Sequence, residues 1–337
     1  MAAQTDDVTG GGRPLDSTER GLAPLDAAPA AEPRSESPEL GRGAQGAGAE
    51  PEGGGVPAAG PARPPSFVTA ALRVFDLSIG QMLWSRRTIF LALVVAAPVA
   101  LGVVIRVLVS SGFGGNVRVG GSPIASGGTI FGIFIWLLYL RFIVPVLGVF
   151  YGTSLIADEV EDKTITYLFT RPIARGSILV GKYLAYLAAT GLVVLPSVML
   201  LYFLVVPIGA GTLAGSFPAL VVDLGLLGLG LAVYGALFAW VGARFKHPLV
   251  TGLVFAFGWE QGIMMVPGYL KRFTVVYYMQ GLVPHAMPQD SALSFLQAVM
   301  KGNLSAGWSL FWLAFIWAAF LYLAAWTVER REYILEQ

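Results

Sequence analysis

Cysteine is absent from the 337 residues and histidine occurs twice. No disulfide framework, thiolate zinc site or cysteine nucleophile can therefore exist. The span assignment below places His247 and His285 on opposite sides, so they cannot share one site. A Ser–His pair, a pair of membrane aspartates and the H-E-x-x-H pattern are all missing, which removes the usual routes to an intramembrane protease. Charge is scarce as well. Charged residues make up 13% of the chain against 55% hydrophobic, and the mean hydropathy is +0.68, far from the balance of a soluble domain. Net charge is only +1, and no basic patch is interleaved with aromatics, so no nucleic acid is expected as a partner. Catalytic residues, metal ligands and cofactors are each expected to be none.

Residues 1–65 hold ten of the 21 acidic residues and are otherwise dominated by Gly, Ala, Pro and Ser. Such a segment cannot bury enough apolar surface to offset its conformational entropy, and a disordered tail is expected. It carries no apolar core of signal-peptide length, so no cleaved leader is expected. From residue 66 onward the chain supplies about 20 apolar residues six times, the length needed to cross a hydrocarbon core near 30 Å thick. The expected spans are about 88–109, 129–156, 180–206, 218–242, 249–267 and 307–328. The fold class is thus an all-α polytopic membrane protein.

Cations set the orientation, because Lys and Arg are retained in the cytoplasm. Eleven fall on one set of loops (Arg73, Arg86, Arg87, Lys163, Arg171, Arg175, Lys182, Arg244, Lys246, Arg330, Arg331), against five on the other (Arg106, Arg118, Lys271, Arg272, Lys301). Both termini are therefore expected in the cytoplasm. Ahead of the first span, Val68, Leu72, Phe75, Ile79 and Met82 share one helical face, the pattern of a helix lying in the membrane interface. Trp84, Tyr202, Trp308 and Trp326 sit near span ends, where they are expected to be interfacial anchors. In the long segment 268–306, SALSFLQAVM is expected to form a short amphipathic helix.

The stretch GSILVGKY, residues 176–183, matches three of the four fixed positions of a phosphate-binding loop. Tyr183 stands where the small magnesium-binding hydroxyl should be, and TRPIAR precedes it rather than a buried strand. The chain also lacks an LSGGQ-like signature, and the VVD ending at Asp223 lies near the outer end of the fourth span. Nucleotide hydrolysis by this chain itself is not expected.

The loop after the second span is unlike the others. In IADEVEDKTITYLFTRPIARGSILVGKYLA, Ile156, Val160, Thr164 and Tyr167 follow helical spacing, with Leu168 beside the last. Asp158, Glu159, Glu161 and Asp162 crowd the rest of the surface, and Arg171 and Pro172 then stop the helix. An apolar stripe followed by a fixed turn makes a rigid knob.

At these residues the sequence resembles the membrane subunits of ABC-2 type transporters, in particular the six-span group encoded apart from its ATPase. The matching positions are the acidic pair Glu159 and Glu161 with Thr164, the patch Tyr167, Leu168 and Phe169, the turn at Arg171, Pro172 and Arg175, and Gly181 with Lys182. Lys163 stands where the family often has Gly. The resemblance covers residues 66–337 and implies a type V ABC exporter-like architecture: an interfacial elbow helix, six spans and a cytoplasmic coupling helix. It further implies a bacterial inner-membrane permease that forms the substrate path of an export system, with membrane lipids around it. Its partners would be a separate ATP-binding cassette subunit and a second permease, identical or different. The coupling contact would fall on Asp158, Glu159, Glu161, Thr164, Tyr167, Leu168, Arg171, Pro172 and Arg175.

Three ionisable residues lie within the spans. Arg141 sits near the middle of the second, where a lipid-facing cation costs about 2.5–3.5 kcal/mol on insertion scales. Glu260 in the fifth span is its candidate partner, and Asp223 lies in the fourth. Arg141 and Glu260 either line the path or lock two helices as a buried pair. Two alternatives to the ABC reading stay open: an ion-coupled secondary transporter using these groups, and a structural membrane anchor of a larger complex.

Overall fold

A computed structural model describes residues 66–112, 118–119, 122–123, 127–161, 175–209, 212–266, 269–284 and 305–330. The expected tail at 1–65, most of the acidic loop and the SALSFLQAVM segment lie outside these residues.

Helix α1 is Phe67–Leu83, capped by the Ser66 hydroxyl, which accepts from the Thr69 N–H. Its packed face is the small-residue one, with Ala70, Ala71 and Ser78 buried. The predicted apolar seam divides: Val68 and Leu72 are exposed, while Phe75, Ile79 and Met82 are partly buried. Helix α2, Arg86–Ser110, starts from a second serine cap, Ser85. A two-residue antiparallel ribbon follows, β1 Arg118–Val119 against β2 Ser122–Pro123. Helix α3 runs continuously over 127–161 and widens twice into π-helix, at Phe134–Ile143 and Gly148–Gly152. Helices α4, Arg175–Val205, and α5, Leu213–Arg244, pack against each other and against α3. Prolines 98, 196 and 218 lie inside α2, α4 and α5, where neighbouring helices can compensate the lost backbone bonds.

Five helices are long and apolar enough to cross a membrane: Arg87–Ser110, Gly127–Asp158, Gly176–Val205, Leu213–Arg244 and Ala306–Arg330, the last called α8 below. The expected fifth of six spans, 249–267, does not reach that standard among the described residues. It forms helix α6 over 248–265, π-helical at Val254–Trp259, with a length of about 27 Å. Glu260 and Gln261 interrupt its apolar run. At Val266 the backbone becomes extended, a 3-10 turn follows at Tyr269–Phe273, and helix α7, Val275–Gln280, folds back to bury Val275, Val276, Tyr278 and Met279. An apolar count does not reveal that Glu260 bonds this return, through the Val275 and Val276 N–H groups, while Gln261 bonds α3.

Close approaches define the two ends of the bundle. At one, which we call the loop end, a Cβ on Gly242 of α5 would lie 2.3 Å from the Thr153 carbonyl of α3, and one on Gly181 of α4 would lie 2.5 Å from that of Ala71. The last turn of α8 arrives here too, with Glu329 beside Gly176. At the far end, Gly127 lies against the carbonyls of Val205 and Val206 and donates its N–H to Ile208. A Cβ added to Gly225 or Gly228 would meet nothing within 4 Å from another part of this chain, whereas one on Gly230 would meet Met279.

Phenols cross-link the apolar core. The Tyr186 hydroxyl donates to the Leu231 carbonyl at 2.9 Å, and Tyr183 donates to Ala232 at 2.7 Å while accepting from the Trp317 indole at 2.7 Å. Tyr202, expected as an interfacial anchor, is instead buried and donates to the Leu213 carbonyl. Its ring packs edge-on to Phe131, so its place is in the core. Trp84, Trp308 and Trp326 are exposed. Tyr183→Phe should lower stability by about 1 kcal/mol, since interhelical bonds in membranes are worth about 0.6–2 kcal/mol. Adding Trp317→Phe should cost little more than its lost packing, a coupling that thermal unfolding of the double variant in detergent would read.

Candidate functional site

Two polar groupings interrupt the apolar interior. The first lies where α3, α5, α6 and α7 meet. Arg141, on the wide π turn of α3, donates from Nε to Gln261 Oε1 at 2.8 Å, and Gln261 returns a bond from Nε2 to the Arg141 carbonyl at 2.9 Å. This reciprocal pair joins α3 to α6. The guanidinium also lies 5.4 Å from the Trp136 ring centroid, a cation–π distance.

Glu260, fully buried beside Gln261, directs its carboxylate the other way. Oε1 accepts from the Val275 N–H at 2.9 Å, and Oε2 accepts from the Val276 N–H and the Tyr234 hydroxyl, both at 3.1 Å. Those N–H groups open α7, where no intrahelical acceptor exists, so the carboxylate does for α7 what a capping side chain does for an ordinary helix. Asp223 is also buried, but it lies on α5 about 16 Å along the helix from Tyr234 and is not part of this grouping.

The second grouping is at the loop end. A cavity of about 380 Å³ is lined by residues including Ser78, Gln81, Ser85, Arg87, Asp158 and Lys182, from α1 to α4. Across it Arg87 Nη1 meets Asp158 Oδ2 at 2.6 Å, with the two side chains 48% and 40% exposed. At that exposure the ion pair contributes about 0.2–1 kcal/mol, so its meaning is positional. It ties the base of the acidic loop to the start of α2. The side chains of Glu159, Glu161 and Arg175 lie outside the described residues, and so do Thr164, Tyr167, Leu168, Arg171 and Pro172 entirely. Among the expected coupling residues, Asp158 alone has a described side chain.

The phosphate-loop lookalike is placed unambiguously. Gly176 to Tyr183 forms the first turns of the membrane helix α4, Gly181 sits against α1, and Tyr183 is buried. A phosphate-binding loop is non-helical backbone that wraps the phosphates ahead of its helix, whereas here all eight residues are already helical.

A family model described as ABC-2 family transporter protein matches residues 35–332. The chain belongs to that family. It is a multi-pass membrane component of an ABC-2 transporter, and members of this family lack ATPase domains, so membership implies association with an ABC ATPase. The match begins upstream of residue 66, where the sequence resemblance starts. No curated protein matches the chain.

In this ABC-2 permease, sequence reasoning brought Arg141 and Glu260 to one place but missed Gln261, Tyr234 and the return helix between them. The signal for Gln261 was present, a second polar residue adjacent to Glu260 in an apolar run. Tyr234 carried none, because α5 is rich in aromatic and small residues that pack without polar partners. Arg87 was counted for topology only, and its pairing with Asp158 spans 71 positions that no local pattern bridges.

Proposed function

We propose that this ABC-2 permease forms half of the substrate path of an exporter and is driven by a separately encoded ATPase that docks on residues 158–175. The loop end then faces the cytoplasm of a bacterial inner membrane, as the cation bias favours. The observation that carries the reading is mechanical continuity. Asp158, at the root of the loop, is tied to Arg87 and ends a helix that runs unbroken to Arg141, so force applied at the loop reaches the middle of the bundle. Closure of two ATPase subunits would push this lever and switch the path between its two openings. Arg141 acts here as a lock between α3 and α6, since its Nε and its carbonyl are both bonded to Gln261.

Co-expression with candidate ABC ATPase subunits of the same organism tests the assignment. Deletion of 158–170 should reduce the co-purified ATPase by more than about tenfold, the loss of about 1.4 kcal/mol or more of binding free energy. The permease itself should stay monodisperse in detergent. Equal recovery with and without the loop would remove it as the docking site.

A further inference from the structure

A cavity of about 560 Å³ lies between α5, α6, α7 and α8, and most of its wall is aromatic, with Phe255, Trp259, Tyr278, Trp312, Phe315 and Phe320 contributing. Volume and lining are those of a site for a small amphipathic molecule. Along α8 it extends from Trp308 to Phe320, which at 1.5 Å per residue is about 18 Å. A single leaflet supplies about 15 Å of hydrocarbon, so the cavity is roughly one leaflet deep. Trp308 and Phe315 are 53% and 55% exposed, leaving it open sideways on the outside of a membrane helix.

Two charged residues line this space, and they are not equivalent. Glu260 already receives two backbone N–H groups and a phenol, so its oxygens are occupied by the fold. Arg272, on the turn between α6 and α7 at the far end, is exposed and holds its guanidinium 4.9 Å from the Tyr269 ring centroid. A guanidinium stacked by its face keeps its edge N–H donors for a planar or phosphate anion. The charge at the mouth therefore complements an anion, and the depth below it complements an acyl chain.

We propose that this cavity binds one anionic phospholipid from the far-end leaflet, with its phosphate on Arg272 and an acyl chain along the aromatic face of α8. The site concerns lipid recognition and stands apart from the transport reading above.

Full-length protein purified in detergent, incubated with phosphatidylglycerol or phosphatidylcholine carrying a photoactivatable acyl chain, tests this directly. Mass spectrometry of peptides covering 306–320 and 255–260 should show phosphatidylglycerol adducts favoured by about fivefold or more, because the choline cation of phosphatidylcholine offsets the phosphate charge that Arg272 would meet. Arg272→Gln should abolish that preference and Arg272→Lys should largely keep it, with unchanged unfolding temperatures in both. Equal labelling by the two lipids, or a preference that survives Arg272→Gln, overturns the proposal. Stronger competition by a quaternary-ammonium amphiphile than by phosphatidylglycerol would also overturn it. The cysteine-free background allows one more check, because Phe315→Cys supplies the sole thiol. If a short bismaleimide joins two chains through it in high yield, a second copy occupies the face and the lipid assignment is wrong.

Discussion

Gly242→Leu is expected to destroy the native bundle. A Cβ at 242 would sit 2.3 Å from the Thr153 carbonyl oxygen and 3.0 Å from the Thr153 Cα, both backbone atoms of α3. A flexible side-chain tip can move aside, but a helix backbone cannot without the whole of α3 leaving α5. Helix α5 is approached as closely elsewhere, by α4 as well as by α3. A Cβ on Gly235 would lie 2.1 Å from the Tyr186 ring, and one on Gly152 would lie 2.9 Å from the Phe238 Cβ. Overpacking a well-packed core costs about 1–3 kcal/mol where side chains can shift, and this clash with backbone should exceed about 3 kcal/mol. Size-exclusion profiles of fluorescent fusions should show aggregate in place of the monodisperse peak. Gly225→Ala and Gly228→Ala, on the same helix in open space, should keep the peak and gain up to about 1 kcal/mol from helix propensity. A wild-type profile for Gly242→Leu would mean that α3 and α5 do not pack as described.

Glu260→Ala should lower stability by about 2–4 kcal/mol, since it strips an acceptor from three buried donors, and an unsatisfied buried group costs about 1–3 kcal/mol. Tyr234→Phe removes only one of the three bonds and should cost about 1 kcal/mol. Glu260→Gln is not a neutral control, because its amide nitrogen would face backbone N–H groups and only one acceptor would remain. The expected order of melting temperatures in detergent is therefore wild type, Tyr234→Phe, Glu260→Gln, Glu260→Ala. If Glu260→Ala melts with the wild type, the carboxylate does not hold α7.

Those two sites also show what the sequence could and could not convey. The long apolar runs at α2 to α5 and α8 were legible, because crossing a bilayer imposes a length and composition that survive in any window. The run at 249–267 looked like another. Its true use depends on a partner 15 residues later, Val275, whose contribution is a backbone N–H and so leaves no mark on residue type. Glycine roles were equally hidden. Gly225, Gly228 and Gly242 are alike as letters, and only the approach of α3 separates them. For Arg141 the expense of a mid-span cation is readable, and so is the need for company, but residue types do not single out the neutral Gln261 as a partner. The loop at 158–175 is the reverse case. Its residue pattern carried the family resemblance, while Asp158 alone of the expected coupling side chains has a described contact.

The capped return at Glu260 also bears on the order of assembly. Its bonds to Val275 and Val276 span 15 and 16 positions, and Tyr234 precedes them all, so each atom of the cap has been synthesised once residue 276 is made. Helix α8, starting at Ala306, is synthesised later and supplies none of those bonds. The closing helix is therefore presented with a docking surface whose hydrogen bonds need nothing from it, and what it adds is apolar contact alone at α7 and the aromatic wall.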